Sequence, residues 1–183
     1  MSGPLRVALL DAAGDEGARK LSTALARAGH RPTLIGCRRG ATTRREEAGV
    51  AVIDVRRLPE APLRLRGFER PLTHLPRALG ELLRERFDVV HAFTPADAAA
   101  ARAWRRLRGG PVVFSPTRPL TRDRLSNRRL TLRLVAAAAE ASDVLIVPDE
   151  AVRASVERWL ALDAAVLAAD DADAHARLYA GLL

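Results

Sequence analysis

The sequence predicts an α/β fold, a Rossmann-like three-layer α/β/α sandwich on a mostly parallel sheet, and three observations carry that prediction. Six short apolar runs rich in β-branched residues recur along the 183 residues. Longer stretches with apolar residues three to four apart separate most of them. Glycine and proline, such as Gly29 and Pro95, fall at the joints. Strands alternating with helices need crossover connections, which are right-handed and leave a parallel sheet covered on both faces.

Each element has its own justification. Leu5–Leu10 reads as the first buried strand and passes into the glycine-bearing turn Asp11-Ala12-Ala13-Gly14-Asp15-Glu16-Gly17. The following helix spans about Asp15–Ala28, with Leu21, Leu25 and Ala28 on one face and Gly29 placed to turn the chain left-handed at its end. Strands are expected at Pro32–Cys37 and Val50–Val55. Arg56–Pro76, with Pro59, Pro62, Gly67, Pro71 and Pro76, is the longest irregular stretch, and long loops in compact domains tend to be functional or mobile. A helix at Leu72–Arg86 leads to a strand at Asp88–Ala92 and a helix at Pro95–Leu107, with proline in its first turn. Pro111–Ser115 and Val144–Val147 complete the strands, and Arg122–Ala141, Glu150–Leu160 and Ala172–Leu182 the helices.

Composition narrows the function. With 48% hydrophobic and 28% charged residues the chain is too apolar to stay disordered and long enough for one buried core. Of its 30 cations 29 are arginine, which lifts the pI to 11.2 at a net charge of only +8. The charge is polarised, +13 over Met1–Glu140 and −5 over Ala141–Leu183. A lone cysteine, Cys37, asks for no oxidising compartment, and no leader or membrane-length apolar run stands out, so a cytoplasmic placement is expected. At 4% aromatics there are few platforms for base stacking, and no nucleic-acid-binding motif is present, so no nucleic-acid partner is expected.

In open α/β sheets ligands bind beyond the carboxyl ends of the strands, so the residues there are the candidate site. Asp11, Gly14 and Asp15 follow the first strand. Their turn lacks the three-glycine dinucleotide spacing, and its carboxylates crowd the helix end that a pyrophosphate would need. Asp15 as a helix cap with Gly14 permitting the turn, and both as contacts to a hydroxyl-rich ligand, are the two readings. His91 and Thr94 stand at the edge after the fourth long strand, Thr117 and Arg118 after the fifth. His91 is open to a structural or a ligand-binding role.

The four histidines have no metal-ligand spacing with one another or with Cys37, so no metal and no cofactor is expected. No nucleophile elbow exists, and Ser115, Ser126, Ser142 and Ser155 have no evident base partner. From Arg118 to Arg133 the arginines at 118, 122, 124, 128, 129 and 133 outnumber one aspartate, beside an apolar face of Leu125, Leu132 and Val135. A solvated helix face is the plain reading; contact of Arg122, Arg128, Arg129 and Arg133 with anionic lipid is the sharper one.

Taken in order, Leu5-Arg-Val-Ala-Leu-Leu10, Leu21 to His30, Phe87-Asp-Val-Val-His-Ala-Phe-Thr-Pro95, Pro111-Val-Val-Phe-Ser-Pro116 and Ala141 to Pro148 with Glu150-Ala-Val resemble the N-terminal domain of the GT-B glycosyltransferases of family 4 over about the first 160 residues. The resemblance implies an acceptor-side Rossmann-like domain over 1–163. It also implies a short connection and terminal helix over 164–183 that packs back on that domain, with the donor-binding C-terminal domain absent. Three departures stand inside the retained half. Ala12-Ala13-Gly14 replaces the usual glycine pair, Thr117 and Arg118 stand where a histidine commonly follows the fifth strand, and Phe93 replaces a second histidine. Hexosyl transfer by the chain alone is therefore not expected. The implied roles are the acceptor-side half of a split glycosyltransferase or a non-catalytic accessory subunit, partnered by a donor-domain polypeptide or another glycosyltransferase subunit. The alternative is a stand-alone interaction module, or one held peripherally at the anionic inner membrane face, that keeps the fold without sugar chemistry.

Overall fold

In the computed structural model, residues 3–58, 73–120 and 129–183 are described. Their strands are β1 (Arg6–Asp11), β2 (Arg31–Arg38), β3 (Thr43–Glu47), β4 (Val50–Arg56), β5 (Val89–Ala92), β6 (Val112–Phe114), β7 (Val144–Val147) and β8 (Ala165–Val166). Helices α1 (Glu16–Arg27), α2 (Leu75–Arg84), α3 (Pro95–Arg108), α4 (Arg129–Ala141), α5 (Glu150–Leu160) and α6 (Ala172–Leu182) connect and follow them. The sheet order is β3-β4-β2-β1-β5-β6-β7-β8, parallel throughout except that β3 runs antiparallel to β4. Successive strands step outward from β1 through β2 to β4, and the chain then returns to lay β5 on the other side of β1. The junction of β1 and β5 is thus the topological switch point, where connections diverge and open a crevice at the carboxyl edge.

Side chains alternate across β1, and both faces are buried as a parallel sheet requires. Ala8 and Leu10 join Ile35, Val55, Leu82, Trp104, Val135 and Val152 under α2 to α5. Val7 and Leu9 face the other way, joining Leu34, Val89, Leu21, Leu25 and Tyr179 under α1 and α6. The connection from β8 to α6 takes only residues 167–171, and α6 then lies against α1. Caps fix where helices begin: Asp15, Thr94, Asp149 and Asp171 each accept a backbone N–H from the first turn. α3 stops where Gly109 adopts φ +80.

Two strands depart from the sequence reading. β3, Thr-Arg-Arg-Glu-Glu, has no apolar residue to announce it. It forms because Ala48 and Gly49, at φ 52 and 80, make the left-handed two-residue turn that folds it back on β4. Arg44 then ties it to α2, contacting both Glu81 carboxylate oxygens at 2.7 Å. β8 is two residues long, too short for any pattern. α2 is shorter than the expected Leu72–Arg86 because Glu85 leaves the helix in an extended conformation. Most of the irregular Arg56–Pro76 stretch, residues 59–72, lies outside the described residues, as does the 122–128 start of the helix expected from Arg122.

Candidate functional site

β1 ends on Asp11, 3% exposed, and its carboxylate bends back onto the turn that follows. It accepts the backbone N–H groups of Ala13 at 3.1 Å, Gly14 at 3.0 Å and Asp15 at 2.6 Å, a wrap that Gly14 permits at φ +75. Consecutive N–H groups of this kind form an anion-binding nest in phosphate-binding loops. Here the protein's own carboxylate fills it. Burial pushes the Asp11 carboxyl up to about 6, opposed by the Asp15 N–H and reinforced by the nearby Asp97 and Asp15 charges.

Asp97, 1% exposed in the first turn of α3, joins three segments at this edge. One oxygen accepts from Ala12 N at 3.0 Å and from the Thr94 hydroxyl at 2.6 Å; the other lies 2.7 Å from His74 Nε2. An ionised carboxylate only accepts, so Nε2 carries the proton in that bond. Asp97 thereby ties the β1–α1 turn, the β5–α3 turn and the turn before α2. Thr94 also caps α3 by accepting Asp97 N at 3.1 Å.

On β5, His91 is fully buried and stacked on Phe93 with ring centroids 4.4 Å apart. Its Nε2 lies 2.6 Å from Ser115 Oγ and its Nδ1 2.7 Å from the Tyr179 hydroxyl; that hydroxyl stands 3.5 Å from His175 Nδ1. Burial holds the imidazole neutral, its pKa well below the usual histidine value, and neighbouring His175 adds to the effect. Burial likewise pushes the Tyr179 phenol up and, against the Ala168 backbone and the Asp171 charge, lowers His175. The expectation that Ser115 lacks a base partner is corrected: the strands bring it to His91, 24 residues earlier, because β5 and β6 are sheet neighbours.

His91, Phe93, Ser115 and His175 border a cavity of about 310 Å³ at the carboxyl edge. Asp15, His91, Ser115, Thr117, Asp149 and His175 supply its polar wall, and Leu21, Ile146 and Leu167 part of its apolar one. Asp15 caps α1 by accepting Gly17 N at 2.8 Å, and Asp149 caps α5 by accepting Val152 N at 2.8 Å. Of the residues expected from sequence, Asp15, His91 and Thr117 meet here. Asp11 and Gly14 border a separate cavity of about 400 Å³ beside β2 and β4, with Cys37, Asp54 and Arg57. Thr94 and exposed Arg118 border neither. Ser115 and Asp149 were findable by the same strand-end rule; His175 and Tyr179, on the terminal helix, were not. Of the arginines considered for lipid contact, Arg122 and Arg128 lie outside the described residues, Arg129 opens α4 and Arg133 is exposed. Among the described residues no group of histidine, cysteine, aspartate or glutamate is arranged to hold a metal, and no helix is long and apolar enough to cross a membrane.

A mostly parallel sheet covered on both faces, with a hydroxyl- and imidazole-walled cavity at its carboxyl edge, is the Rossmann-like α/β fold of GT-B glycosyltransferase domains. The Glycosyltransferase Family 4 model matches residues 17–167, and the chain belongs to that family. A sucrose-phosphate synthase chain from Thermosynechococcus elongatus superposes with a TM-score of 0.70 at 16% identity, covering 97% of this chain and 98% of that one. A longer chain of the same synthase gives 0.66 at 12% identity, covering 90% of this chain and 47% of that one. Anabaena HepE in complex with UDP-glucose gives 0.65 at 14% identity, covering 90% and 43%. Identities this low speak for the fold alone. The chain spans less than half the length of these last two relatives, and no curated protein matches it.

Proposed function

We propose that this chain is the acceptor-binding component of a glycosyltransferase, working with a donor-domain polypeptide, and that it holds a hydroxyl-rich acceptor in the 310 Å³ cavity. The carrying observation is the cavity wall: a serine, a threonine, two histidines and two aspartates converge at the carboxyl edge beyond β5, β6 and β7, while the nearby phosphate-type nest is filled by Asp11. Ser115 Oγ is anchored on one side by neutral His91, whose other nitrogen is held by Tyr179. A hydroxyl fixed in this way presents its remaining hydrogen-bonding capacity in a set direction, which suits orienting an acceptor hydroxyl rather than ionising it.

The donor contribution would come from the partner, as fits a component that orients without activating. Two measurements test this. Incubation of the pure chain with UDP- and GDP-sugars and candidate acceptors is expected to show no turnover, and purification of the native protein from its own cells is expected to bring a glycosyltransferase polypeptide with it. Robust transfer by the chain alone sinks the proposal.

A further inference from the structure

The chain contains 29 arginines and one lysine, yet among the described residues neither type borders the 310 Å³ cavity; the charged side chains described in its wall are Asp15 and Asp149. Each of these carboxylates spends Oδ1 on the helix it caps, and neither Oδ2 has a hydrogen-bond partner among the described residues. The same wall holds His175, 2% exposed, whose Nε2 is buried without a hydrogen bond of proper distance and angle among the described residues. A buried polar atom left unpaired costs free energy until something supplies a partner, so this nitrogen marks a place where a ligand group completes the site. Two unspent carboxylate oxygens, an unpaired imidazole nitrogen and hydroxyls at Ser115 and Thr117 suit a ligand rich in hydroxyls that also carries positive charge. They disfavour an anionic one, which would meet two carboxylates with no cation among the described residues to answer it.

Resting on the acceptor-binding reading above, we infer that the acceptor is an amine-bearing polyol, an amino sugar or aminocyclitol, whose ammonium is received by Asp15 and Asp149, and that phosphorylated sugars are excluded. The test uses the full chain in mildly acidic buffer, where the amine is protonated. Backbone amide shifts of the cavity residues are followed by NMR during titration with glucosamine, glucose or glucose 6-phosphate. Glucosamine is expected to bind at least about fivefold more tightly than glucose, the size of one modest charge pair, and glucose 6-phosphate weakest of the three. Asp15→Asn and Asp149→Asn retain a good helix cap, so folding is preserved. Each is expected to erase most of the glucosamine advantage, lowering glucosamine affinity by more than it lowers glucose affinity.

Equal binding of glucose and glucosamine at the cavity overturns this inference and leaves the acceptor reading standing, as does an advantage that survives both substitutions or a preference for the phosphorylated sugar. Magnesium alone reproducing the glucosamine shifts also overturns it. Absence of cavity shifts with all three sugars overturns both readings.

Discussion

Replacing Asp97 by alanine is the most direct probe of how the carboxyl edge is held together. The side chain is 1% exposed and takes three hydrogen bonds, from Ala12 N, the Thr94 hydroxyl and His74 Nε2. Its removal leaves a buried N–H, a hydroxyl and an imidazole without their partner. Hydrogen bonds to a charged group contribute about 1.5–3 kcal/mol each, and breaking a buried ion pair or its equivalent costs about 3–5 kcal/mol. Because the three bonds share one carboxylate, their effects do not add, and a loss of about 4 kcal/mol is expected. Typical domains are stable by about 5–15 kcal/mol, so a large share of the total would go. Urea denaturation reads this directly as a fall in the midpoint at unchanged slope. Adding His74→Ala to the Asp97→Ala background should cost clearly less than His74→Ala alone, since the two residues share a bond. A loss under about 1 kcal/mol for Asp97→Ala, or full additivity in the double variant, would refute the view that one carboxylate clamps three segments.

Other consequences are equally measurable. Asp11 titrates near 6 in the folded chain against 3.8 when free, so the native state binds its proton more readily, and Asp11 contributes increasing stability as pH falls through that window. Relative to Asp11→Asn, the parent should therefore gain about 3 kcal/mol between pH values above 6 and below 3.8, read from denaturation midpoints across the range; a gap that widens as pH rises contradicts this. Tyr179→Phe deletes the hydroxyl 2.7 Å from His91 Nδ1 in a fully buried setting and should cost about 1–3 kcal/mol, checked by thermal unfolding. In Gly110→Ala the new Cβ would lie 2.3 Å from a ring carbon of buried Trp104, and about 1–3 kcal/mol should be lost together with a change in the near-ultraviolet circular dichroism of tryptophan.

What the sequence disclosed, and what it withheld, divides along a physical line. Buried parallel strands such as Val89–Ala92 and Val144–Val147 are continuous apolar runs because both their faces are covered, and such runs are visible in one dimension. β3 is held by a turn and by ladder bonds to β4 and carries no apolar signature, so only its pairing reveals it. The site divides in the same way. Asp15 and Thr117 follow strands and His91 lies at the carboxyl end of one, so all three are legible from position alone. The bonds that orient His91 come from Ser115, through sheet order, and from Tyr179, 88 positions away on a helix whose placement depends on how the sheet closes. Asp11 illustrates a third case: its acidity beside a helix start argued against a bound pyrophosphate, but its occupation of the nest is a matter of three backbone dipoles converging on one side chain.

The two rims of the sheet bear on how this molecule behaves in a crowded cell. A strand at an open rim offers unpaired amides and carbonyls to any neighbouring chain, and flat apolar rims seed aggregation. At one rim β3 exposes four charged residues in five, and at the other β8 is only two residues long. Both ends of an otherwise apolar eight-stranded platform are poor templates for further strands, which disfavours pairing of two copies edge to edge.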